Sequence, residues 1–300
     1  MIYKIKKGGL SIQVKDVGAE LLSVMRNGCE FLWQGDPVYW ADRAPVLFPI
    51  CGRLYGGHYT YRGTTYEIPS NGFAQFETFR LSERKDDRVT LVLDSNENTR
   101  SCYPFDFCLS ITYRLTERML EVACHVENRG AETLLFAFGA HPGFRVPLAA
   151  GTEFSDYSLV FPAASDLHLL NFTDTGFDTG TQTPYPLKDG KQLSLRHSLF
   201  DIDSLFFEGS GGVVTLCSEK TGHRLSVHYP DFPYLGIWHA PRTQAPYLCI
   251  EPWAGLPSIN GKIDDFEEKK PMFHLAANET KTLFYAIEVI APIEKDGATN

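Results

Sequence analysis

The sequence predicts an all-β protein, a large antiparallel β-sandwich, on three observations. Apolar residues recur with a period of two rather than 3.6 over most of the chain. Turn signals separate these runs at short intervals. No segment of about 12 or more residues carries a helical apolar stripe. The 25 glycines and 18 prolines suit many short strands joined by tight turns.

Taken in order, the runs Leu21–Met25 and Glu30–Trp33 flank Asn27-Gly28, and Tyr59–Tyr61 and Thr64–Ile68 flank Arg62-Gly63. Each set reads as a hairpin closed by a two-residue turn. Val89, Leu91 and Leu93 form one inward set, and Leu109, Ile111, Tyr113 and Leu115 a second. In Leu120–Asn128, Leu120, Val122, Cys124 and Val126 share a face opposite Glu121, His125 and Glu127. The apolar run Leu134–Phe138 leads into GAHPGF. Asn171–Lys191, rich in Thr, Asp, Gly and Pro, reads as the longest loop. Gly209-Ser210-Gly211-Gly212 lies between the strand-like Leu205–Glu208 and Val213–Cys217, and reads as a hairpin turn before a phosphate cradle. Tyr247–Ile250 is an apolar strand that Glu251 ends, and Leu283, Tyr285, Ile287 and Val289 form the last inward set. Strands resume on both sides of the long loop, so residues 1–290 are expected to form one domain. The small, polar, aperiodic residues 291–300 are expected to fray.

The composition of this 300-residue chain, 43% hydrophobic and 22% charged, is that of a soluble globular protein. Lys plus Arg number 28 against 37 Asp plus Glu, a net charge of −9. An acidic chain without a basic run matches neither nucleic acid nor an anionic membrane. No apolar stretch approaches the roughly 18 residues of a membrane span. MIYKIKKGGL has basic residues but no apolar core behind them, so it does not read as a secretory signal. Seven scattered cysteines, without a CxxC pair, read as reduced, mostly buried thiols of a cytoplasmic protein.

Walker, Rossmann, HExxH and GxSxG patterns are absent. Four stretches instead set polar residues among Gly, Pro and aromatics: APVLFPICGR (Ala44–Arg53), SNGFAQ (Ser70–Gln75), GAHPGF (Gly139–Phe144) and PYLCIEPWAG (Pro246–Gly255). A carboxylate such as Glu251, at the end of an apolar strand and before Pro and Trp, is a candidate functional group. Trp238 and Trp253 offer flat apolar faces on which a sugar ring can stack. His58, His125, His168, His197, His223, His228 and His274 read as surface or strand residues. His141 differs, because the following proline fixes an extended backbone in a Gly-flanked turn at a strand exit.

Together these stretches resemble the aldose 1-epimerase (galactose mutarotase) superfamily, and within it a divergent bacterial branch of mutarotase-like proteins. The resemblance spans most of the chain. It rests on Pro49–Arg53, Gly72–Ala74, His141-Pro142, LFDIDSLFF (Leu199–Phe207), PYLGIW (Pro233–Trp238) and CIEPWAG (Cys249–Gly255), all in the family's order. It implies the mutarotase-like β-sandwich and the interconversion of the α and β anomers of a free aldose. It further implies Glu251 as base on the C1 hydroxyl, His141 as acid toward the ring oxygen, and Arg53 and Asp203 as ligands of sugar hydroxyls. The family's loop HGFAR reads NGFAQ here, so Asn71 stands where a second histidine is usual. Asn71 can hydrogen-bond a sugar oxygen but cannot carry a proton charge, and the alternative is that it only caps its loop.

The implied chemistry needs no cofactor and no metal, only a base and an acid on opposite sides of the C1–O5 unit. It suits near-neutral pH with Glu251 ionised and His141 protonated. The expected partner is a monosaccharide, and the chain is expected to be a monomer or a homodimer. Three other readings stay open. A glycoside hydrolase would need a carboxyl pair at set separation, and a non-catalytic carbohydrate-binding or regulatory module would need no proton chemistry. A hexose-6-phosphate epimerase would need extra cations at the mouth of the site, for which Arg145 and Arg242 are candidates.

Overall fold

The computed structural model describes residues 1–161 and 166–292. The tail expected to fray lies almost entirely outside them. The period-two runs become the strands of a nine-stranded antiparallel sheet. Its central strands are Arg224–His228, Thr280–Ile290, Met119–Asn128, Phe107–Leu115 and Arg88–Asp94, in that spatial order. Every inward residue named above in these runs is buried, because one face of each strand packs on the core and the other meets solvent. The α-helix Glu97–Cys102 is capped by Asn96, whose side chain accepts from the Thr99 amide. No helix among the described residues is long and apolar enough to cross a membrane.

Both short hairpins form, with Met25 paired to Glu30 and Tyr61 to Thr64. Asn27 and Gly28 have φ of 50° and 84°, the positive values that this right-twisting turn demands. The second arm of the first hairpin is shorter than expected. It covers Cys29–Glu30, after which Leu32 and Trp33 pair instead with Phe144 and Gly143.

An eight-stranded sheet carries the strands that matter for function. Its order is Asp178–Pro184, His168–Phe172, Leu205–Glu208, Tyr234–Trp238, Tyr247–Trp253, Gly139–Ala140 and Val46–Leu47, with Gly143–Arg145 also paired to Tyr247–Trp253. Three sequence readings are corrected here. Asn171–Lys191 is not one continuous loop, since His168–Phe172 and Asp178–Pro184 form an edge hairpin whose Thr-rich outer strand is exposed and so lacks an apolar pattern. Gly209–Gly212 is not a hairpin turn. It carries the chain from Leu205–Glu208 in this sheet to Val213–Ser218 in the nine-stranded one. The strand of Tyr247–Ile250 does not stop at Glu251 but runs through it to Trp253, buried at all seven positions.

That last strand shows how the fold separates core from site. Leu248 and Ile250 belong to the main apolar core together with Leu235 and Ile237 of the neighbouring strand. The alternate residues Tyr247, Cys249 and Trp253 fall in two small apolar clusters on the opposite face. Glu251 sits between them.

Candidate active site

A cavity of about 210 Å³ opens on this second face and is lined by Arg53, Asn71, His141, Asp203, Trp238, Glu251 and Trp253. All seven residues singled out from the sequence therefore meet at one place. Gly52, Ser70, Phe172, Gly176, Ser204, Phe206 and Pro257 complete the wall. Gly52, Ser70, Ser204 and Phe206 lie in the stretches quoted from the sequence without a role of their own, whereas Phe172, Gly176 and Pro257 fall outside all of them.

The central pair is set by strand register. Gly139 pairs with Trp253 and Gly143 with Cys249, and the same antiparallel register sets His141 opposite Glu251. The Ile250 amide donates to the Pro142 carbonyl and the His141 amide to the Pro45 carbonyl, which locks the His-Pro turn against the strand. His141 Nε2 and Glu251 Oε2 stand 3.2 Å apart. On its other side Glu251 faces Gly236, where a Cβ would fall 2.8 Å from Phe206 Cζ. The glycine thus lets Phe206 lie over the carboxylate strand. Trp40 and Trp238 pack on the His141 ring at centroid distances of 5.1 and 5.7 Å. Trp40 was not anticipated, because nothing in its local sequence marks it.

The opposite wall is built from loops. The Asn71 amide donates to the Gly52 carbonyl, and the Gly52 amide donates back to Asn71 Oδ1. Asn71 has a φ of 64°, a left-handed conformation that Asn tolerates better than most residues. It therefore braces the Gly52–Arg53 turn as well as lining the cavity. Arg53 Nη1 donates to the Thr175 carbonyl, so the turn of the edge hairpin closes over the guanidinium. A Cβ on Gly176 would lie 3.5 Å from Arg53 Cζ and 3.6 Å from Asp203 Oδ2, so the glycine keeps the space between those side chains open.

Electrostatics corrects one expectation. Burial pushes the Glu251 carboxyl well above the usual range, the Asp203 charge adds to this, and the nearby Trp253 indole opposes it. Glu251 Oε1 and Trp253 Nε1 nevertheless both lack a hydrogen-bond partner. Burial also lowers the His141 imidazole to about 4, against a smaller opposing effect of a backbone hydrogen bond. Burial thus opposes charge on both groups and pulls toward a neutral acid beside a neutral imidazole rather than the expected ion pair. Both arrangements hold the same number of protons and differ only in which side carries one of them.

His239, which sequence reasoning passed over, is fully buried next to Trp238. Its Nδ1 meets the Ala240 carbonyl at 2.8 Å, and its Nε2 meets His197 Nδ1 at 3.1 Å. This ties the strand end carrying Trp238 to the 3₁₀ turn His197–Phe200 that precedes Asp203. Arg145 and Arg242 do not line the cavity, and Arg242 Nε donates instead to the Asp201 carbonyl.

Comparison with known proteins places the chain. The family model described as aldose 1-epimerase matches residues 1–283. The plasmid-encoded protein LacX of Lactococcus lactis subsp. lactis is 33% identical over 300 residues, covering 97% of this chain and all of LacX. A galactose mutarotase related enzyme from Lactobacillus acidophilus superposes with a TM-score of 0.92 at 32% identity, covering 98% of this chain and 99% of that one. A galactose mutarotase-like protein from Lactobacillus casei ATCC 334 gives the same TM-score and identity, covering 97% of this chain and 100% of that one. With a galactose mutarotase-like fold and a family match over nearly its whole length, this chain belongs to the aldose 1-epimerase family.

Proposed function

We propose that the protein is an aldose 1-epimerase acting on an unphosphorylated monosaccharide. The observation that carries this reading is the His141–Glu251 cross-strand pair, 3.2 Å apart at the wall of a small polar cavity. Glu251 takes the proton from the C1 hydroxyl as the C1–O5 bond breaks. The electron pair of that bond moves to O5, which takes a proton from His141, and C1 becomes the aldehyde carbon. Rotation about C1–C2 presents the other face of the carbonyl. Ring closure then reverses both transfers and returns the pair to its starting state. To act this way the pair must hold its proton on the imidazole when sugar is bound, against the burial that opposes charge on both groups. Arg53, Asn71 and Asp203 hold ring hydroxyls, and Trp238 and Trp253 supply apolar walls.

The volume argues against hydrolysis. About 210 Å³ lies below the roughly 300–1,000 Å³ of ordinary ligand pockets, which suits one sugar ring rather than two joined by a glycosidic bond. A module that only binds sugar has no use for a buried acid and imidazole aligned in register. Arg53 is the only Lys or Arg among the described lining residues, so the cavity offers little positive charge for a phosphate. Anomer exchange followed by NMR on free and 6-phosphorylated aldoses tests the proposal. Catalysed exchange is expected with a free hexose and weaker exchange with its 6-phosphate. A folded protein that accelerates no free aldose overturns the reading, and a preference for the phosphates overturns the substrate class.

Asn71 is assigned an orienting role. Removing one neutral hydrogen bond costs ~0.5–1.5 kcal/mol, so Asn71→Ala is expected to weaken catalysed exchange about two- to thirteen-fold. It also removes the acceptor for the Gly52 amide and puts Ala in a left-handed conformation, so a lower melting temperature accompanies the loss. A thousand-fold loss with an unchanged melting temperature would instead overturn the orienting role, since one neutral hydrogen bond cannot account for it.

A further inference from the structure

We propose that His141, Cys249 and Glu251 form a binding site for a thiophilic divalent cation such as Zn²⁺. One donor atom from each of the three residues lies within 4.8 Å of the other two. The register explains why. Cys249 and Glu251 are two residues apart on one strand and so share a face, while His141 enters from the neighbouring chain segment opposite Glu251. Glu251 is 1% exposed, and its Oε1 has no hydrogen-bond partner, a buried acceptor left open. Such an atom is costly to bury unless something occupies it in a working state.

The donor set selects the class of metal. One sulfur, one imidazole nitrogen and one carboxylate oxygen suit Zn²⁺ and its first-row neighbours, whereas Mg²⁺ and Ca²⁺ take oxygen ligands. Three protein ligands leave one tetrahedral position, which the cavity in front of Glu251 can fill with water or a sugar hydroxyl. Thiolate and carboxylate together balance the charge of the cation. Cys249 has no part in the proton transfers proposed above, and burial keeps its thiol protonated, so it is no nucleophile at neutral pH. A divalent cation supplies the neighbouring charge that a buried thiolate needs.

A bound cation takes up the atoms that would receive and deliver the sugar's protons, so occupancy is expected to silence anomer exchange. That consequence rests on the epimerase reading, whereas metal binding does not. The test is a titration of the full-length protein with Co²⁺, read by thiolate-to-cobalt charge-transfer absorption, with anomer exchange measured on the same samples. The expected result is a saturable band at one equivalent, reversed by Zn²⁺ and absent in Cys249→Ser and Cys249→Ala. Exchange should fall in step with occupancy in the wild type and persist in the Cys249 variants at the same metal concentration. His141→Asn keeps the thiol and guards against a folding defect at Cys249. Its affinity should drop by more than the ~10- to 100-fold typical of losing an outer-sphere partner. A band that survives in both Cys249 variants, or no saturable band in the wild type, overturns the site. An intact band in a protein with no exchange activity before metal is added supports the metal site and counts against the epimerase reading.

Discussion

Glu251→Gln is expected to slow catalysed anomer exchange by ~10²–10⁴-fold, the usual contribution of one positioned proton-transfer group. Gln fills the same volume between Gly236 and His141 but cannot accept the proton of the C1 hydroxyl. The fold should survive, and the pH dependence of stability supplies a control. In the folded chain burial holds the Glu251 pKa well above its ordinary 4.5, so ionising it opposes folding. The stability carried by the neutral carboxyl is complete below pH 4.5 and is lost as pH rises through the folded pKa. Gln cannot ionise, so the variant should gain stability relative to wild type as pH rises above 4.5. His141→Asn should be as severe in activity with the opposite pH trend. The imidazole pKa falls from 6.5 to about 4 on folding, so the stability carried by neutral His141 is complete above pH 6.5 and lost as pH falls toward 4. Chemical denaturation across pH, paired with anomer exchange by NMR, checks both variants. Near-full activity in either one would remove that residue from the mechanism.

Gly72→Ala is expected to destabilise the protein by ~2–5 kcal/mol, with roughly 3–8 °C lost from Tm. A Cβ at this position would lie 2.1 Å from the Phe48 carbonyl oxygen, 2.4 Å from its carbon and 2.7 Å from Pro49 N. All three are backbone atoms and cannot rotate away. The residue also has a φ of +73°, which adds left-handed strain to the overlap. Because Gly72 bridges to Phe48 directly after Asn71, the same change should disturb the brace on Gly52 and Arg53 and weaken sugar binding. Gly63→Ala separates the two contributions. Gly63 has a nearly identical φ of +76° with nothing within 4 Å of its would-be Cβ, so only the strain remains. Thermal melts of both variants decide the matter. Equal losses would show that the contact with Phe48 relaxes and that strain alone is felt.

The strands Arg88–Asp94, Phe107–Leu115, Met119–Asn128 and Thr280–Ile290 were legible in the sequence, because a sheet buried on one face must alternate apolar and polar residues. The turns at Asn27-Gly28 and Arg62-Gly63 were legible because few residues accept the positive φ they need. Where one of those conditions failed, local reading failed with it. The exposed hairpin strand Asp178–Pro184 buries too little to show a pattern, and Gly209–Gly212 looks like a hairpin turn although its flanking strands lie in different sheets. The site divides in the same way. The motifs marked Arg53, Asn71, His141, Asp203, Trp238, Glu251 and Trp253, but Trp40 and the His197–His239 contact have no local signature. By itself, then, the sequence determined the β architecture and the list of polar groups available for chemistry. Only the tertiary structure decided that His141 meets Glu251 in register, that Cys249 shares their face, and that burial opposes charge on both partners. Register, facing and desolvation depend on which strands lie side by side, and pairing between residues 110 positions apart leaves no trace in the local pattern of either.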